Sequence, residues 1–101
     1  SYSKIPKFLE VEAFLEKGRC PLGTRRNLET AAPLTTFSEE VSDNKQLLLA
    51  DAQTSGGLLM AIPKEKLKNL LQDLRASNVP ICAVIGQIIS QDQPARIHVE
   101  L

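Results

Sequence analysis

Apolar residues recur along this chain with several distinct spacings, and each spacing predicts a different element. Phe8, Val11, Phe14 and Leu15 fall three and four apart, with Glu10, Glu12, Glu16 and Lys17 between them. That spacing predicts a short amphipathic helix ending at Gly18, the residue best suited to a left-handed C-terminal position. Pro6 lies just upstream, where its fixed φ favours a helix start. Arg19-Cys20-Pro21-Leu22-Gly23 reads as a loop. Thr24 is placed to cap a second short helix through Asn27, Leu28 and Ala31, closed by Pro33. Residues 35–44 are polar and read as a surface connection, with Phe37 and Val41 as anchors. Asp43 is expected to cap a helix over residues 45–50.

The second half changes period. Leu58 to Ile62 is continuously apolar, which predicts a strand buried on both faces. Residues 64–77 then carry Leu67, Leu70, Leu71 and Leu74 on one helical face, with Pro63 at a tolerated position beside the first turn. Burying each of those leucines contributes on the order of 1.5–3 kcal/mol before entropy is counted, so this helix is expected to be a core element. Ser77-Asn78-Val79-Pro80 breaks it. Ile81 to Ile85 is expected to be a strand, interrupted at Gly86 and resumed through Ile89. Gln91-Asp92-Gln93-Pro94 reads as a turn, and Ala95 to Leu101 alternates apolar and polar, so the end of the chain is expected to form a hairpin with one wet face. The sum is an α+β fold: one domain over residues 1–101, with helices packed on a small mixed or antiparallel sheet.

Charge and composition remove whole classes of function. Twelve basic and 12 acidic residues give a formal net charge of zero over 101 residues, without the basic excess that nucleic-acid binding requires. No apolar run approaches the ~20 residues of a membrane span, and the mixed charge on the polar face of the 64–77 helix argues against a membrane-surface role. The chain starts at Ser1 rather than a methionine, which suggests an excised or processed piece. Cys20 and Cys82 are the only cysteines and are read as free thiols.

One stretch stands out chemically. Asp51-Ala52-Gln53-Thr54-Ser55-Gly56-Gly57 places short hydroxyl side chains before two adjacent glycines, at the start of the apolar run. The N–H groups and hydroxyls of Thr54, Ser55, Gly56 and Gly57 suit a phosphate or other anion, because glycine lets backbone approach a ligand closely. Equally, these residues can satisfy local backbone groups and allow close packing. Neither G-x-G-x-x-G nor a Gly-Lys-Ser/Thr loop is present. Arg25 and Arg26 are open to the same two readings, as bidentate phosphate contacts or solvated surface charges. Asp51 reads as a turn acceptor and His98 as a surface residue. No nucleophile–base pair or metal-ligand spacing completes an active site.

These blocks, taken in order, resemble the C-terminal part of selenide, water dikinase (selenophosphate synthetase). Leu47 to Ile62 is similar to that family's apolar lead followed by D-P-Q-T-S-G-G-L-L, with Ala52 here in place of the proline. Gly23-Thr24-Arg25-Arg26-Asn27 resembles its G-T-x-x-N block, and Ala83-Val84-Ile85-Gly86-Gln87-Ile88 its A-V-I-G-x-V block. The resemblance runs from about Ile5 to Ile89. It implies a truncated C-terminal domain of the aminoimidazole-ribonucleotide-synthetase type. The parent would be a cytoplasmic enzyme making selenophosphate from selenide, ATP and water, with magnesium, and releasing AMP and phosphate. ATP and magnesium would be bound mainly outside this chain, and the reactive Cys or selenocysteine and essential lysine would lie in an N-terminal segment. Neither Cys20 nor Cys82 matches that segment, so the resemblance implies no catalytic residue and no metal ligand here. The implied partners are the N-terminal ATP-binding domain of the same enzyme and a second copy in a homodimer. A stand-alone α+β interaction or small-ligand module is the rival reading.

Overall fold

The computed structural model of the protein describes residues 1–90 and 94–101. Four α-helices occur among them: α1 (Val11–Glu16), α2 (Leu22–Ala31), α3 (Asp43–Leu49) and α4 (Leu67–Ala76). Two short strands, β1 (Thr35–Phe37) and β2 (Ile97–Val99), complete an α+β fold, with single 3-10 turns at Tyr2–Lys4, Ala32–Leu34 and Lys64–Lys66.

The helix ends follow from local chemistry. Gly18 takes φ 70 just after α1. Its N–H donates to the Leu15 carbonyl (2.8 Å) and that of Arg19 to Phe14 (3.0 Å), the paired bonds that satisfy carbonyls orphaned at a helix C-terminus. Asn78 does the same after α4 at φ 56, with Asn78 N–H on Arg75 O and Val79 N–H on Leu74 O, both 3.0 Å. At the start of α3, Asp43 is the first helical residue rather than the cap, and its carboxylate sits where the helix dipole favours negative charge.

The buried core is small. Tyr2, Leu15, Val41 and Leu47 are its apolar members, and α3 packs against both α1 and α2. Tyr2 is held at both ends. Its backbone N–H donates to Glu100 O (2.7 Å) and its hydroxyl to Glu12 Oε1 (2.7 Å). Lys7 Nζ lies 4.4 Å from the ring centroid and 3.8 Å from Glu12.

Several sequence expectations need correction. The sheet is a two-stranded parallel ladder, Thr35 opposite Ile97, Thr36 opposite His98 and Phe37 opposite Val99. Parallel strands require a long crossover, and here α3 and α4 lie within it. β1 therefore falls inside the stretch read as a surface connection, where three strand-forming residues were too few to show a period. Leu58 to Ile62 and Ile81 to Ile89 run without regular structure. Leu58 is 84% exposed, Ile88 75% and Ile89 77%. A continuous apolar run shows that a segment suits burial, but a strand also needs a paired neighbour for its N–H and C=O groups, and among the described residues neither run joins a ladder, although Ile85 O accepts from the Ser1 ammonium at 2.6 Å. The expected hairpin turn at Gln91, Asp92 and Gln93 lies outside the described residues. α4 forms where expected, yet Leu67, Leu70, Leu71 and Leu74 are only half-buried. Periodicity identified its apolar face without showing what covers it.

Burial, followed by the hydrogen bond and negative charge of Glu12, pushes the Tyr2 phenol well above its ordinary value of 10.0. The folded state then keeps a proton that the unfolded chain has lost, so this contribution is complete below about pH 10 and declines above it. Denaturant midpoints should be flat toward pH 10 and then fall. Tyr2→Phe should remove the part of that fall due to the phenol and cost about 1 kcal/mol at neutral pH, from the lost hydrogen bond.

Candidate functional site

The last turn of α3 delivers the chain to the hydroxyl–glycine segment. Ala50 N–H donates to Gln46 O and Leu47 O, and Asp51 N–H to Leu48 O at 3.2 Å. From there α2 takes over the positioning. Thr24 Oγ1 donates to Asp51 Oδ1 at 3.1 Å and accepts from Ala52 N–H at 3.2 Å. Asn27 Nδ2 donates to Ala50 O at 3.0 Å. Beyond Asp51, residues 52–60 are all exposed.

Thr24 is therefore no helix cap. α2 begins at Leu22 after Pro21, which puts Thr24 inside the first turn with its side chain turned into the molecule, 1% exposed. Asp51 accepts a hydrogen bond as expected, but as a tertiary rather than a turn acceptor, since its donor Thr24 lies 27 residues away. No local spacing could have revealed that pairing.

Thr54 lines a hollow of about 640 Å³, together with Tyr2, Lys7, Asn27, Asp51 and Gln53. A second hollow of about 510 Å³ shares Ile5, Lys7, Leu48, Asp51 and Gln53 with it and adds the apolar Phe8, Val11 and Ile81. Ser55, Gly56 and Gly57 are exposed and lie outside both linings. Lys7 is a cation on the shared wall that sequence reading did not place there. Arg25 and Arg26 are exposed on α2 and line neither hollow.

The two glycines are not explained by the chain's own packing. Neither has positive φ, since Gly18 alone among the described glycines does. A Cβ on Gly57 would meet nothing within 4 Å, and one on Gly56 would make an ordinary 3.4 Å contact with Gln53 Oε1.

Away from this region, His98 is exposed and shares a 2.9 Å hydrogen bond with its cross-strand partner Thr36. Cys20 and Cys82 are free thiols, both half-buried. Among the described residues no group of three or more His, Cys, Asp or Glu side chains converges as a metal site. No helix of the described residues is long and apolar enough to cross a membrane. The lining around Thr54 presents hydroxyl, amide and ammonium groups, and among the described residues no pair of groups there is arranged for covalent catalysis.

No family model matches the chain, and no solved structure does. Curated relatives do. The selenide, water dikinase of Aliarcobacter butzleri is 35% identical over 97 residues, covering 96% of this chain and 28% of that protein. That of Photorhabdus laumondii is 35% identical over 100 residues, 99% of this chain and 27% of the relative. That of Myxococcus xanthus is 39% identical over 85 residues, 84% and 24% respectively. Over nearly its full length this chain is similar to selenide, water dikinase. It spans about a quarter of the length of the curated relatives it matches.

The open space at Gly57 has a direct consequence for the stability of this chain. Gly57→Ala should leave the unfolding free energy unchanged or raise it by up to about 1 kcal/mol, through a less flexible unfolded chain. A loss of about 1 kcal/mol or more in a urea titration would show that the glycine serves internal packing after all.

Proposed function

We propose that this chain is the C-terminal part of a cytoplasmic enzyme that makes selenophosphate from selenide, ATP and water, releasing AMP and phosphate. One observation carries the reading: relatives named selenide, water dikinase match nearly all of this chain with about a quarter of their own length. The chain alone is then catalytically incomplete, with the reactive Cys or selenocysteine and the essential lysine supplied by the remainder.

In this reading Thr54, Ser55, Gly56 and Gly57 face the cleft of the intact enzyme and help handle phosphate. Three features support it. Thr54 borders a hollow that also holds Lys7, the hydroxyl and glycine residues are exposed, and neither glycine answers a packing demand of this chain. Short side chains of this kind leave room for an outside group to reach the backbone. Magnesium is a different matter. Asp51 is the single carboxylate on the hollow and already engages Thr24, so the residues here do not fit a metal site of their own, and ATP and magnesium are assigned mainly to the N-terminal domain.

The partner in that assignment is the N-terminal ATP-binding domain of the same protein. Its docking is favoured by apolar surface at Leu58, Leu59, Ile81, Ile88 and Ile89. Covering each such side chain fully is worth roughly 1.5–3 kcal/mol. Left uncovered, a surface of this kind drives self-association, and a homodimer is proposed for the enzyme.

Selenide-dependent AMP formation separates the parts of this reading. The protein including the segment upstream of Ser1 should form AMP, and residues 1–101 alone should not. Activity of the isolated chain would overturn its incompleteness, while inactivity of the longer protein would favour the stand-alone module. Light scattering on residues 1–101 should show a dimer or larger species. A clean monomer at high concentration would count against the uncovered apolar surface.

A further inference from the structure

Three residues of α2 converge on the short segment that precedes the hydroxyl–glycine turn, and each does so by different chemistry. Thr24 bridges Asp51 and Ala52, donating to the carboxylate at 3.1 Å and accepting the backbone N–H at 3.2 Å. Asn27, one helical turn from Gly23 and on the same face, donates to Ala50 O at 3.0 Å. Gly23 provides the close approach, since a Cβ placed there would lie 3.3 Å from the Ala52 Cβ. Apart from the Tyr2 phenol, Thr24 carries the only polar side chain among the described buried residues. A buried hydroxyl needs its partners, and here both partners belong to the base of the turn.

The Gly-Thr-x-x-Asn pattern on α2 and the Asp-Ala pair before the turn are thus two halves of one device. We infer that Gly23, Thr24 and Asn27 form a clamp through which α2 fixes residues 50–52, making Thr24 a positioning residue for the phosphate-handling turn at Thr54 to Gly57. This rests on the reading of that turn as ligand-facing. The clamp touches the base of the turn and leaves its tip exposed. A turn that binds an anion through backbone N–H groups gains from being held in place beforehand, because less freedom is then lost on binding. The hydroxyl oxygen of Thr24 is the hinge point. It accepts from the main chain and donates to the side chain next to it, so the Asp51 and Ala52 positions cannot move independently of α2.

The test uses the intact protein, and wild-type selenide-dependent AMP formation is measured first, because its absence would sink the family reading without touching the clamp. Thr24→Val keeps the shape and removes both hydrogen bonds; Thr24→Ser keeps the hydroxyl. Amide hydrogen exchange at Asp51 and Ala52, whose N–H groups are bonded to Leu48 O and Thr24 Oγ1, should accelerate about tenfold or more in Thr24→Val. It should stay near wild type in Thr24→Ser, with the rest of α2 unchanged in both. KM for ATP should rise about tenfold in Thr24→Val and recover in Thr24→Ser, which a merely structural helix residue would not show. A second pair covers the case of a poorly folding valine variant. Gly23→Ala should accelerate exchange over the same residues, and adding Ala52→Gly should reverse it by removing the opposing Cβ. Unaltered exchange at Ala52 in Thr24→Val would overturn the clamp. Faster exchange with unaltered KM and kcat would overturn its positioning role.

Discussion

The packing of α3 against α1 and α2 is the constraint on which the rest of this structure depends. Leu47 is the one buried residue of α3, and with Leu15 of α1, Val41 and Tyr2 it makes up the apolar core. With so few buried side chains, polar contacts carry an unusual share of the definition. Tyr2 anchors to Glu12 and Glu100, and Thr24 to Asp51 and Ala52. Where α3 ends is therefore where the site begins, and the direction in which Asp51 leaves the helix is decided by a hydroxyl on α2.

In the proposed reading the chain supplies one wall of a phosphate-handling cleft. That wall carries Lys7, Thr54 and Gln53, in a chain whose Leu58, Leu59, Ile88 and Ile89 are exposed. Reactive groups and metal ligands are assigned to the other side. On that reading the Thr54 and Ser55 hydroxyls serve binding, and the turn needs no activated nucleophile.

Local rules were readable where the determinants were local. Gly18 and Asn78 ended their helices as their left-handed φ values require, and the leucine spacing of residues 67–74 gave a helix at α4. Strands were not readable in the same way. Leu58–Ile62 and Ile81–Ile89 have the composition of buried strands, but composition records only an affinity for burial, and pairing depends on what lies alongside. Thr35–Phe37 became a strand because Ile97–Val99 runs next to it. At the site, the turn itself was visible as a cluster of Thr, Ser and Gly. Its attachment was not, because Thr24 and Asp51 meet only through tertiary structure, and Thr24 looked like an ordinary helix cap.

The parallel ladder has a consequence for how the molecule comes together. Thr36 and His98 are 62 residues apart in sequence, and closing a loop of that length costs about 4 kcal/mol in chain entropy plus a constant. Three residue pairs return only about 1 kcal/mol per net hydrogen bond, so the ladder cannot hold itself shut from the start. The helices have to assemble first and bring its two strands together. Closure of the sheet is then a late event, and it seals α3, the turn and α4 inside a single long excursion of the chain.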